Sequence, residues 1–480
     1  MVAMERAGEP DVDASREPRQ RVDTSAGGTG SGTGGGPRDW PGLVLRSLFP
    51  EPAAGDGTGR EAMWAVGTGL AAAAITVARV PFIFDSFWAE DGGLFYQEAL
   101  TRKRPGVFVE WYAGYLQAVP RLIAAIAAAF PVRDAAAVFA VCVLAIVAAG
   151  AAFVEIRSAD YISRRWLRIG LGLSVAFLPV LREEVIGNAA NIQFLLVFFG
   201  FWLLLWFPRR RVGAVAAAVA LLLISLSTLL AVFLVPVALA RLLVRHRRGT
   251  WLPPLGLLAG VAVQFGGRAI VHATRPVQPA DVATALDWFK ARIVTNVGSG
   301  ASVSSTIHVG LVVLAALAVV VVGAFVGRPA QPGAGTPTPV ARTMIVVSLA
   351  LCLLTGLAVA TTSGIALRYA VVPALFLVTA LAVACDHTLD VRPNWMGWIP
   401  VGIVVAAIVA AAYTGRQASP WRGEASIVSP TSQAWAGPWW SHGVDAARVQ
   451  CQTTPVGAAV SIKSFPGPWV VTVPCAVLER

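Results

Sequence analysis

The chain has 480 residues, 56% of them hydrophobic and only 14% charged, with a mean hydropathy of +0.67. Soluble domains carry about 25% charged residues, so an ordinary globular enzyme is excluded and an all-α polytopic membrane protein is expected, since backbone polar groups in lipid must be satisfied within each segment. The net charge of +11 lies in short Arg-rich loops between apolar stretches, which fits membrane topology and gives no case for nucleic acid.

Residues 1–58 mix Gly, Ser, Thr, Pro, Asp and Arg, with a Gly/Ser/Thr run at 27–36, and predict a disordered tail rather than a signal peptide. A multi-pass domain is expected over 59–414 and a Trp-, Gly- and Pro-rich polar segment over 415–480. The expected crossings are 63–83, 135–155, 168–181, 191–207, 212–225, 229–244, 252–271, 309–327, 343–361, 369–385 and 397–414, roughly eleven in all. The stretch 113–130, interrupted by Pro120 and Arg121, falls short of the ~30 Å hydrocarbon core and predicts an interfacial helix on the outer face.

With that choice Arg157, Arg164, Arg165 and Arg168, then Arg209 to Arg211, then Arg241, Arg245, Arg247 and Arg248, then Arg328 and Arg342 fall on one side. The positive-inside rule makes that side cytoplasmic, leaving the N-terminus inside and the C-terminus outside. Cys451 and Cys475 would then lie in an oxidising space and are expected to pair as a disulfide. Cys142, Cys352 and Cys385 sit in apolar stretches as small core residues.

The outer face collects Asp85, Glu90 and Asp91, then Arg182, Glu183, Glu184, Asn188, Asn191 and Gln193, then Arg268 and His272, and finally Arg368 and Tyr369. An ionisable group at the bilayer centre costs about 2.5 to 3.5 kcal/mol on insertion scales, so a convergent cluster implies a water-filled cavity. For any single residue, simple marking of a helix end explains it equally well. In the run Asp85-Ser86-Phe87-Trp88-Ala89-Glu90-Asp91-Gly92-Gly93, two adjacent carboxylates suit a general base or a metal ligand. Equally open is a helix start capped by Asp91, with Trp88 as an interfacial anchor.

Trp88-Ala89-Glu90-Asp91-Gly92 after the first crossing, Glu183 to Phe194 at a middle helix end, and Leu367-Arg368-Tyr369 leading into an apolar helix with Pro373 together resemble the C-type superfamily of membrane glycosyltransferases. That resemblance spans most of residues 60–400 as architecture, though Glu-Asp here stands where better-known branches carry Asp-Asp or Asp-Glu. It implies transfer of a sugar from a polyprenyl-phosphate donor to an extracytoplasmic glycan or glycolipid acceptor in the cell envelope. Asp91 or Glu90 would be the base, Arg368 the phosphate-binding cation with Arg182 and Arg268 second, and Asp85, Glu183, Glu184, Asn188, Asn191, Gln193 and Tyr369 would hold substrate. The carboxylates leave room for a divalent cation; no other cofactor is implied. A transporter or flippase of lipid-linked sugars, and a polysaccharide polymerase or ligase, are the alternative classes.

Overall fold

The computed structural model describes residues 40–50, 59–102, 105–178, 180–181, 185–244, 251–271, 338–362, 367–391, 439–455, 457–465 and 468–478, with isolated positions between 318 and 402. The expected crossings at 309–327 and 397–414 lie almost wholly outside the described residues, as do residues 1–39 and 51–58 of the tail expected to be disordered; its residues Trp40–Leu48 are instead helical, with Leu48 and Phe49 buried. Residues 41–480 form one compact unit.

The described chain is helical: α1 (Trp40–Leu48), α2 (Gly59–Arg79), a π-helix (Asp91–Tyr96) running into α3 (Gln97–Arg102), α4 (Ala118–Ala127), α5 (Ala135–Arg157), α6 (Arg165–Phe177) and α7 (Gln193–Leu205). Then come α8 (Arg211–Ser225), α9 (Val235–Leu243), α10 (Leu252–Val271), α11 (Thr338–Thr362) and α12 (Val371–Val391). Four stretches, Gly59–Arg79, Val132–Asp160, Thr338–Val359 and Arg368–Val391, are long and apolar enough to cross a membrane, while α4, α7, α8 and the stretch Leu229–Leu243 are apolar but shorter. Large apolar side chains such as Leu70, Val141, Leu353 and Leu357 point outward from the long helices, where a soluble helix would turn its polar face to water. These features fit a membrane protein.

Helices touch through small residues, as van der Waals packing in lipid favours. A Cβ at Gly69 would lie 2.5 Å from the Ala148 carbonyl oxygen, and one at Gly256 2.2 Å from that of Ala218, so α2 meets α5 and α10 meets α8 backbone to backbone. Two of the short helices end on an arginine from elsewhere. Arg79, closing α2, donates to the carbonyls of Ala176, Leu178 and Leu181 past α6, and Arg241 on α9 donates to those of Leu203 and Leu204 at the end of α7. A guanidinium meets the orphan carbonyls and negative pole of a helix C-terminus.

The C-terminal segment adds a short hairpin to the otherwise all-α chain. It contains α13 (Trp440–Gln452), an antiparallel hairpin of β1 (Ala459–Lys463) and β2 (Val470–Pro474) with Ser461 opposite Thr472, and α14 (Cys475–Leu478). The alternating apolar residues Val460, Ile462, Val471 and Val473 form its buried face. A disulfide joins Cys451 to Cys475, Cα to Cα 5.5 Å.

Candidate functional site

At one end of the bundle, the loop after α2 and the loop before α7 are held together by Asp91. This residue opens the π-helix, a rare conformation concentrated at functional sites, and it is buried. The Ala189 N–H donates to one carboxylate oxygen at 2.8 Å and the Ala190 N–H to the other at 2.7 Å. Among the described residues no cation pairs with it. Burial raises its pKa to about 7 against the two backbone N–H groups, which pull it down, and nearby Glu90 adds to the rise. Glu90 itself is half-buried.

Asn188 and Asn191 fold the same loop: the Asn191 N–H donates to Asn188 Oδ1 at 2.9 Å. Gln193, the first residue of α7, donates from Nε2 to the Tyr115 hydroxyl oxygen at 2.9 Å and to the Ala190 carbonyl at 3.2 Å. Tyr115 lies within electrostatic reach of Arg368 and Tyr369 in the short turn before α12. Burial pushes its phenol up to about 12, while the Arg368 charge and the Gln193 and Gln117 side chains pull the other way. Arg368 lies over the Tyr369 ring, 5.2 Å from its centroid, and Tyr369 packs edge-on against Phe194 of α7. The structure therefore brings Asp91, Asn188, Asn191, Gln193, Arg368 and Tyr369 around one loop.

Other expected residues are differently employed. Asp85 accepts from the Ser441 N–H and hydroxyl, both at 2.7 Å, so its carboxylate caps the start of α13. Trp88 is buried beside Phe465, Phe95 receives the Arg121 guanidinium, and Tyr96 is buried under Trp440 and Phe139. Arg268 is half-buried near the end of α10. Arg182, Glu183, Glu184 and His272 lie outside the described residues. Among the described residues no three Asp, Glu, His or Cys side chains gather as metal ligands.

Several participants lie outside the expected set of catalytic and binding residues. Arg121, which marks a break in the apolar stretch 113–130, is buried on the ten-residue α4, ion-paired to Glu98 at 2.5 Å and donating to the Leu116 carbonyl at 3.0 Å. Tyr112 and Tyr115 exchange backbone hydrogen bonds of 3.0 and 3.1 Å around Ala113 and Gly114, both at positive φ as a type I′ turn requires. Gln117 is also left-handed at φ 59°. Two non-glycine residues in that region within five positions store of order 1–3 kcal/mol each.

The C-terminal segment sits on the acidic motif. Phe465 donates its N–H to the Phe87 carbonyl at 2.9 Å and accepts from the Ala89 N–H, and the Thr472 N–H donates to Gln97 Oε1 at 2.6 Å. A Cβ at Gly92 would lie 2.8 Å from Val471 Cγ2, and one at Gly93 2.8 Å from the Trp469 ring and 3.0 Å from the Val470 carbonyl oxygen. The glycine pair thus lets β2 lie flat on the π-helix. Compared with family models, with curated proteins and with solved structures, the chain matches none.

Proposed function

We propose that this protein is a C-type membrane glycosyltransferase, with roughly eleven crossings, that moves a sugar from a polyprenyl-phosphate donor to a cell-envelope acceptor on the outer face. The observation that carries the proposal is the placing of the Asp91 carboxylate and Arg368 about one loop: Asp91 is hydrogen-bonded to Ala189 and Ala190, and Arg368 lies over Tyr369, which packs on Phe194 of the helix that this loop begins. A buried carboxylate titrating near neutrality suits a general base, and a guanidinium suits a departing lipid phosphate. Asp91 takes the proton from the acceptor hydroxyl; Arg368 stabilises the phosphate as its bond to the sugar breaks. Asn188, Asn191 and Gln193 order the wall between them.

Sidedness follows from charge. Arg157, Arg164, Arg165, Arg168 and Arg241 gather at the end of the bundle opposite Asp91, where Arg164 pairs with Asp386 and Asp390 and Arg168 approaches Glu155; that end is cytoplasmic by the positive-inside rule. The disulfide lies at the Asp91 end, in keeping with an oxidising exterior. A transporter needs polar groups along the helix interiors that are open to a passing solute, whereas Thr76, Thr355 and Thr379 bond to carbonyls of their own helices. Purified protein assayed for transfer from a polyprenyl-phosphate sugar, alongside Asp91→Asn and Arg368→Ala, tests the proposal. Transfer lost in both variants supports it, and unaltered turnover in both overturns it.

A further inference from the structure

We infer that Arg121, buried on α4, is a positioning residue for the transfer: it holds the π-helix that carries Asp91 in register with the turn that carries Tyr115. The role rests on the transferase reading, whereas the contacts that define it do not. One guanidinium meets three partners on three segments. Its Nη1 donates to Glu98 Oε2 on α3 at 2.5 Å, its Nε donates to the Leu116 carbonyl at 3.0 Å, and its Cζ lies 5.5 Å from the centroid of the Phe95 ring. Phe95 stands four residues after Asp91 in the π-helix and also meets Tyr112 edge-on at 6.1 Å.

Both segments need holding. A π-helix is a rare conformation, and left-handed Gln117, at φ 59°, persists only where its surroundings over-determine it. The start of α4 is moored to the bundle: the Ala118 N–H donates to the Leu226 carbonyl at 3.3 Å, the Val119 N–H to the Ser227 hydroxyl at 2.9 Å, and the Leu116 N–H to Gln264 Oε1 at 3.2 Å. Arg121 thus passes the position of α8 and α10 to the acidic motif. It is no phosphate ligand itself, because it is only 2% exposed and its charge is met by Glu98. Stability alone does not call for the pair, since apolar side chains of similar volume often serve a buried site as well. What a guanidinium adds is direction, a rigid fork aimed at two fixed acceptors.

Full-length protein in detergent is compared with the double variant Glu98→Met/Arg121→Met, which removes both charges and leaves no unpaired carboxylate, and with Arg121→Lys, which keeps a charge beside Glu98 but loses the fork. Both variants should elute and unfold as the native protein does. In transfer from a farnesyl-phosphoryl sugar, kcat should fall about tenfold or more while KM for the donor stays within about twofold, because the reacting groups are misplaced and the donor's own contacts are kept. A merely structural pair would change the amount of folded protein and leave kcat per folded molecule unaltered. In hydrogen exchange read by mass spectrometry, segments 91–98 and 112–117 should lose protection together in the double variant, with α5 and α12 unchanged. Native kcat in the double variant overturns the positioning role and leaves the transferase standing. Joint loss of protection in a protein without transfer activity leaves the coupling standing and removes the transferase, whereas loss in one segment alone, or in neither, overturns the coupling. Should the double variant fail to fold, Arg121→Lys decides by the same measures, and native kcat there overturns the role.

Discussion

Two buried aspartates, Asp91 and Asp386, do the same mechanical task at opposite ends of the bundle and differ in how their charge is met. Each clasps an interhelical loop by accepting backbone N–H groups: Ala189 and Ala190 for Asp91, Ser163 and Arg164 at 2.7 and 3.0 Å for Asp386. Asp386 also accepts from the Ser163 hydroxyl and pairs with the Arg164 guanidinium, which Asp390 shares. Asp91 has no such cation among the described residues. A carboxylate that serves structure alone is best left charged and paired; one kept uncompensated is free to change protonation, which is what chemistry needs.

The largest effect should therefore fall on the paired end. Asp386→Ala leaves Arg164 facing Asp390 alone in a partly buried site and should cost about 3–5 kcal/mol, the usual penalty for breaking a buried pair, read as loss of folded protein by thermal unfolding in detergent. Opening the Cys451–Cys475 loop by a double Ala substitution should remove about 3 kcal/mol in the chain-entropy model. That loss should appear as proteolytic sensitivity of residues 439–478, with α5 and α12 unaffected. Asp91→Asn keeps the size of the side chain but replaces one oxygen by a donor facing an N–H. It should lower transfer 10²-fold or more, about 2.7 kcal/mol in the barrier, with the protein still eluting as a folded species. Should Asp386→Ala lose activity without unfolding, or Asp91→Asn unfold, the division of labour between the two residues would be wrong.

Between these ends, much of the helical frame was readable in the sequence, because apolar runs bounded by Arg, Pro and Gly report helix length directly. The ends of α5, α7 and α8 fall within two residues of the expected 135–155, 191–207 and 212–225. Asp91, Arg368 and Gln193 were visible because polar residues at the ends of apolar helices stand out. Tyr115, Gln117 and Gln264 were not, since a turn of mixed residues and one Gln in an apolar helix carry no period and acquire meaning only when α10 is laid against residues 111–117. The role of Asp85 was hidden for a similar reason: its partner, Ser441, is 356 positions away. The glycine pair beside the carboxylates has its physical reason in the hairpin above it.

That contact makes a smaller test. Gly93→Ala places a methyl group 2.8 Å from the Trp469 ring and 3.0 Å from the Val470 carbonyl oxygen, so either β2 lifts or the π-helix shifts, at about 1–3 kcal/mol for overpacking. Transfer should fall with the loss of order around Asp91, and Trp469→Ala should restore part of it in the double variant. Additive losses in the double variant would show that the hairpin does not set the position of the acidic motif.

The smallest expected effect is also the sharpest on the comparison. With its pKa raised to about 7 from the usual 3.8, Asp91 binds a proton in the folded state over a range where the unfolded chain has already lost it. Native protein holds more protons there, so stability should fall as pH rises from about 4 through 7. Activity should move the opposite way, because only the ionised carboxylate can accept a proton: kcat/KM should rise about tenfold between pH 6 and pH 8 and then level off. Asp91→Asn should flatten the stability slope, and its residual activity should lose the rise near 7. Asp386→Asn, which leaves the Asp91 loop intact, should keep the same midpoint in whatever fraction remains folded. A rise near pH 7 that survives in Asp91→Asn would assign the titration to another group and leave Asp91 as a clasp of the same kind as Asp386.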